Sequence, residues 1–97
     1  MVLAFLPEAE IELDNAIAEY DGLGTSAGGF SAEADRVLEQ ISRFPFSGTE
    51  FGKIRRCLFH GYPFAVIYRV LPGFVLIISV MHTSRRPGYW RSRIAKK

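Results

Sequence analysis

Three features of the chain point to an α+β domain. Two successive stretches in the first half carry apolar residues at helical spacing. Three stretches in the second half are short, apolar and rich in β-formers, and the last two meet at Pro72-Gly73. Helices and strands that segregate into separate runs in this way indicate an α+β fold with an antiparallel sheet. The expected order is β-α-α-β-β-β, a single domain over residues 1–97, with a helix pair packed on the sheet and a short C-terminal tail or helix.

The elements follow in order. Val2 to Leu6 is an apolar strand candidate, and Pro7 suits the first position of a helix, where no backbone donor is needed. From Glu8 the apolar positions are Ala9, Leu13, Ala16, Ile17 and Tyr20, one stripe of an amphipathic helix. Acids crowd its first turn, as the helix dipole favours, and Gly22 and Gly24 end it. Thr25 or Ser26 is the expected cap of a second helix, whose stripe is Phe30, Ala34, Val37, Leu38 and Ile41. Phe44-Pro45 stops that helix, because proline restricts the residue before it.

Ser47 to Gly52 reads as a loop. Ile54 to Phe59 is a strand whose alternation puts Ile54, Arg56 and Leu58 on one face and Arg55, Cys57 and Phe59 on the other. His60 to Pro63 turns the chain into a hairpin of two runs, Tyr62 to Val70 and Phe74 to Met81. Pro72 presets φ at its turn and Gly73 accepts positive φ. The polar stretch His82 to Arg93 follows, with helical potential from Tyr89 to Ile94.

Composition narrows the function. Forty-eight per cent apolar and 23% charged residues suit a folded globular chain, one that buries roughly 60–65% of its unfolded surface. The single cysteine, Cys57, excludes an internal disulfide and offers no metal-site spacing, so neither metal nor cofactor is expected. No apolar run reaches membrane-spanning length and no signal-peptide start is present, so a soluble, cytoplasmic protein with no membrane partner is expected. The net charge of +2 conceals a segregation: all ten acids lie in residues 1–50, and ten of the twelve lysines and arginines lie in the acid-free residues 51–97. A field of one sign attracts polyanions, either nucleic acid or an acidic protein segment. The alternative is mutual neutralisation of the two halves.

Several motifs resemble the RelE/ParE superfamily, the toxin halves of bacterial type II toxin–antitoxin modules. They are Phe5-x-Pro7-Glu8-Ala9-x-x-Glu12-Leu13, Ile54-Arg55-Arg56, and Gly61-Tyr62-Pro63-Phe64-x-Val66-Ile67-Tyr68-Arg69. The closing Val80-x-His82-x-x-Arg85-x-Pro87-x-Tyr89-Trp90-x-x-Arg93 is closer to the ParE-like branch. The resemblance implies a toxin fold and a cognate antitoxin partner, with a toxin–antitoxin hetero-oligomer. For a ParE-like member it implies DNA gyrase as the target; for a RelE-like member, ribosome-dependent mRNA cleavage. A third outcome is an inactive relative that only binds its partner.

The residues allow both target classes. The target-binding candidates are Lys53, Arg56, Arg69, Arg85, Arg86 and Arg93. Metal-free RNA cleavage needs a base, an acid and cations at the phosphorane, which Arg56, Arg69, His82, Arg85 and Tyr89 would supply. The same residues have structural readings. Tyr89 and Trp90 can pack the tail onto the sheet, and Arg85 or Arg93 can pair with a helix acid such as Glu12 or Glu19. Cys57 suits a small buried apolar position and His60 a turn, while Glu10, Glu12, Glu19 and Glu39 are spaced like a solvated helix face.

Overall fold

The computed structural model describes residues 1–22 and 29–94. Its elements are β1 (Val2–Phe5), α1 (Pro7–Asp21), α2 (Gly29–Arg43), β2 (Thr49–Phe51), β3 (Ile54–Leu58), β4 (Phe64–Leu71), β5 (Phe74–His82) and a 3-10 turn, η1 (Tyr89–Arg93). The sheet order is β1-β5-β4-β3-β2. The α+β arrangement and the helix pair agree with expectation. Two features differ. The stretch read as a loop, Ser47 to Gly52, contains the edge strand β2, which pairs antiparallel with β3. The sheet is also mixed, because β1 lies parallel to β5, with Val2 opposite Phe74 and Phe5 opposite Ile77. Two helices intervene between β1 and the rest, so the chain has length enough for a parallel crossover.

The hairpin between β4 and β5 is closed by Pro72-Gly73, with Leu71 opposite Phe74. Gly73 has φ of 85°, the conformation a side chain resists and the reason glycine follows proline there. The register slips between Ile67 and Tyr68, a β-bulge that makes Ile78 an extra residue on β5.

Each sheet face has its own core. On the helix side, Ala9, Phe30, Val37 and Ile41 meet Cys57, Val66, Tyr68, Val75 and Ile77. At its centre Phe30, 0% exposed, has Tyr20, Phe59, Tyr62 and Phe64 around it, with ring centroids 5.1–5.2 Å away. On the opposite side a smaller cluster joins Ile54, Ile67 and Ile78 to Trp90 of η1. The alternation on β3 is as expected: Cys57 and Phe59 belong to the first cluster and Ile54 to the second.

Polar side chains tie the connections down. The carboxylate of Asp21, at the end of α1, accepts the backbone N–H groups of Phe30 and Ser31 at 2.9 Å and the Ser31 hydroxyl at 2.7 Å. It thereby caps the start of α2 and satisfies donors the helix leaves unpaired. The Ser31 hydroxyl, together with those two amides, holds its carboxyl below the ordinary range. The caps expected from sequence, Thr25 and Ser26, lie outside the described residues.

Tyr68, wholly buried, donates its hydroxyl to the Pro45 carbonyl at 2.8 Å and accepts the Gly48 N–H at 3.0 Å, anchoring the α2–β2 connection to the sheet. Tyr68→Phe leaves both groups without that partner and should cost about 1–3 kcal/mol. Thermal unfolding reads this as a midpoint lower by roughly 4–8 °C per kcal/mol. An unchanged midpoint would show that the hydroxyl contributes nothing to the anchor.

Candidate functional site

The arginines fall into two groups. Arg36 pairs with Glu33 at 2.8 Å, Arg43 with Glu39 at 2.7 Å, Arg55 with Glu50 at 3.7 Å and Arg93 with Glu12 at 2.9 Å. Among the described residues, Lys53, Arg56, Arg69, Arg85, Arg86 and Arg91 form no ion pair with a carboxylate. These six hold the field that the sequence's charge segregation foretold.

Three of the unpaired cations converge. Arg56, Arg85 and Arg91 line a cleft of about 200 Å³ whose floor and walls include Phe51, Ile67, Met81 and Trp90. The cleft opens on the sheet face away from the helices, beside the Ile54–Ile67–Ile78–Trp90 cluster. Arg56 reaches it because it sits opposite Ile67 across the β3–β4 ladder. Lys53 and Arg69 line a second cleft of about 290 Å³ with Phe46, Glu50, Ile54 and Arg55. Arg69 lies two residues beyond Ile67 on β4, hence on the same sheet face as Arg56.

His82 and Tyr89 open elsewhere. They share a shallow cleft of about 190 Å³ with Glu12, Glu19 and Phe64 on the helix side, where Arg85 forms part of the rim. The His82 ring stands edge-on to Phe64 at 5.1 Å, and its Nδ1 lies 2.7 Å from the Ser84 hydroxyl. The five nuclease candidates are therefore spread over these three clefts, with Arg85 shared by two of them, and Arg56 also borders a fourth beside Gly48, Cys57 and His60. Arg86 is exposed, and none of these three clefts includes it. Arg91, counted in the sequence only as one basic residue among many, is the cleft member that sequence reasoning passed over. Its placement depends on η1 being a 3-10 turn started by Gly88 at φ of 74°, and no local pattern marks that.

Arg93 differs from the other site candidates. Its two terminal nitrogens each lie 2.9 Å from one oxygen of Glu12, a bidentate pair with side-chain exposures of only 14% and 17%. The Glu12 oxygens also accept the Ser79 hydroxyl at 2.9 Å, the Val80 N–H at 3.1 Å and the Tyr89 hydroxyl. Burial alone would raise the Glu12 pKa, but the bonds from Arg93, Tyr89, Ser79 and Val80 outweigh it and leave the carboxyl below its ordinary value. Burial, then the bond to Glu12, pushes the Tyr89 hydroxyl up. Glu12 is thus an anchor in the interior, contrary to the solvated helix face that its spacing suggested, and its partner is Arg93, as the structural reading of that arginine anticipated. Arg93 and Tyr89 are engaged by that anchor, which sets them apart from the free guanidinium groups.

Trp90 is core-facing as expected, at 2% exposure, and Cys57 is buried, which raises its thiol pKa. Among the described residues, no group of histidine, cysteine and carboxylate side chains is placed to hold a metal ion, and no helix is long and apolar enough to cross a membrane.

Comparison with known proteins agrees with this architecture. The family described as "ParE toxin of type II toxin-antitoxin system, parDE" matches residues 3–87. The chain belongs to that family. No curated protein gives a significant match to the sequence. Among solved structures, a chain from "Chromosomal ParDE TA system from P. aeruginosa" is similar with a TM-score of 0.62 and 19% identity, over 87% of this chain and 97% of that one. At that identity the likeness bears on the fold alone.

Proposed function

We propose that the chain arrests growth as a toxin that binds DNA gyrase, making and breaking no bond itself, and that a cognate antitoxin neutralises it. Family membership supports the toxin role. The observation that carries the mode of action is the cleft where Arg56, Arg85 and Arg91 border Phe51, Ile67, Met81 and Trp90. Unpaired guanidiniums around an apolar floor suit a protein surface with acidic and apolar side chains, and arginine and aromatic anchors dominate such contacts. An acidic antitoxin segment fits the same chemistry, and its affinity should fall as salt rises. Supercoiling by purified gyrase is expected to stop on titration with the purified chain. Unaltered supercoiling at large excess would remove gyrase as the target.

A second reading, mRNA cleavage, draws on the cleft that gathers Glu12, Glu19, His82, Arg85 and Tyr89. It is weaker, because Arg56 and Arg69 open onto other clefts and Tyr89 is bonded to Glu12. Intact transcripts in arrested cells, mapped by primer extension, would exclude it.

A further inference from the structure

One residue of the helix layer, Glu12, bonds Tyr89 and Arg93 of the segment that carries Arg85, Trp90 and Arg91. Strand β1 pairs only with Phe74 to Ile77, and the chain then leaves through Leu6, whose N–H donates to the Ile77 carbonyl at 3.0 Å. Beyond that point, among the described residues, β5 has no strand along this edge. Its free groups are taken by side chains: Arg93 donates to the Ile78 carbonyl at 3.0 Å, and Glu12 accepts the Val80 N–H at 3.1 Å. The ion pair of Glu12 with Arg93 therefore substitutes for a strand, and it fastens η1 to α1 and β5 in one contact.

Little else orients η1. It has five residues, and 3-10 turns of that length have poor hydrogen-bond geometry and no independent stability. Trp90, with Tyr89 and Ile94 beside it, supplies its apolar anchor, and the Arg91 guanidinium lies over the Trp90 ring at 4.9 Å, but burial is non-directional and does not fix how the turn as a whole sits on β5. The polar network supplies direction. Tyr89 bonds Glu12, and the Arg85 guanidinium lies over the Tyr89 ring at 4.0 Å, with that of Arg93 at 5.2 Å. A chain of contact thus runs from Glu12 through Tyr89 to Arg85, and through Arg93 along η1 to Trp90 and Arg91. Those are three of the residues that line the cleft.

We infer that Glu12 is a positioning residue for the basic cleft: it holds segment 85–93 against β5 so that Arg85, Trp90 and Arg91 face the same opening. The role assigned to the cleft rests on the function proposed above, whereas the fastening itself does not. Glu12 is one acid among six on α1, and its neighbour Glu10 is exposed, so a comparison within one helix isolates the effect.

Trp90 is the sole tryptophan and reports directly. In the purified full chain, Glu12→Gln keeps the size of the side chain and removes its charge. Its emission should shift to the red and become open to acrylamide quenching, with far-UV circular dichroism retained and growth arrest lost. Glu10→Gln should change none of these. Should Glu12→Gln fail to fold, Arg93→Lys keeps the charge, loses the two-pronged fork and should release Trp90 in the same way. The double variant Glu12→Gln with Arg93→Lys should release Trp90 by less than the sum of the two single changes, because both weaken the same two-pronged pair. Trp90 emission and quenching unchanged in Glu12→Gln and Arg93→Lys would overturn the inference, whatever the growth result. Trp90 released with arrest intact would uphold the fastening and instead count against the cleft as the surface that acts.

Discussion

Phe30→Ala should lower the unfolding free energy by about 3–5 kcal/mol, the range for removing a large aromatic side chain from a well-packed core. The position meets the condition for the upper part of that range. Phe30 is fully buried, and its ring touches aromatics from α1, from the β3–β4 connection and from β4 itself. A void there lies between both layers and cannot be filled by one side chain changing rotamer, since Tyr20 also stands edge-on to Tyr62 and Phe64. At roughly 4–8 °C per kcal/mol, such a loss leaves a domain of this size with little stability at growth temperature. Thermal melting of the purified variant measures it. A loss of under about 1 kcal/mol would mean that the aromatic cluster collapses onto the space, and that the core is less rigid than its packing indicates.

Reversal of charge at the cleft should do the opposite, removing activity while sparing the fold. Arg56→Glu with Arg85→Glu is expected to abolish growth arrest. Interface anchors of this type cost about 2 kcal/mol or more each, so the two together approach a thousandfold in affinity. Stability has little to lose. Neither residue is in an ion pair among the described residues; Arg85 forfeits its stacking on Tyr89 and Arg56 its place over Phe51, each worth about 0.5–1 kcal/mol at an exposed site. Reversing Arg56, which shares its cleft with Arg91 and no acid, also relieves repulsion there. Growth on induction and thermal melting, measured on the same variants, separate the two effects. Glu39→Gln is the control: it gives up only an exposed pair with Arg43, worth about 0.2–1 kcal/mol, and should leave arrest intact. Arrest that persists in the double reversal, at wild-type stability, would place the acting surface elsewhere.

The free arginines would lose part of their reach if the acidic half of the chain lay over them. It does not, and the reason is visible in which acids pair. Glu33 and Glu39 take arginines of their own helix, Glu50 takes the Arg55 opposite it across the β2–β3 ladder, and Glu12 takes Arg93. The segregation of charge along the sequence therefore survives at the cleft lined by Arg56, Arg85 and Arg91, which no acid borders, whereas Glu50 borders the Lys53–Arg69 cleft and Glu12 and Glu19 share the helix-side cleft with Arg85.

Local chemistry was sufficient for much of this. The apolar spacing of Ala9 to Tyr20 and of Phe30 to Ile41 marked both helices, Pro72-Gly73 marked the hairpin, and the alternation around Arg55 and Arg56 assigned the faces of β3. These features act over a few residues, where backbone preference and side-chain period decide. The family motifs likewise lie within short stretches, and the family they suggested is the one the chain belongs to. Tertiary structure alone decided the rest. The parallel pairing of β1 with β5 and the edge strand β2 depend on hydrogen bonds to distant segments, and the three residues of β2 are all exposed, with no apolar alternation to announce them. Glu12 shows the same limit most plainly. By spacing it belongs with the solvated acids of α1, and only the approach of Arg93, 81 residues away, with the unpaired edge of β5 beside it, makes burying its charge favourable.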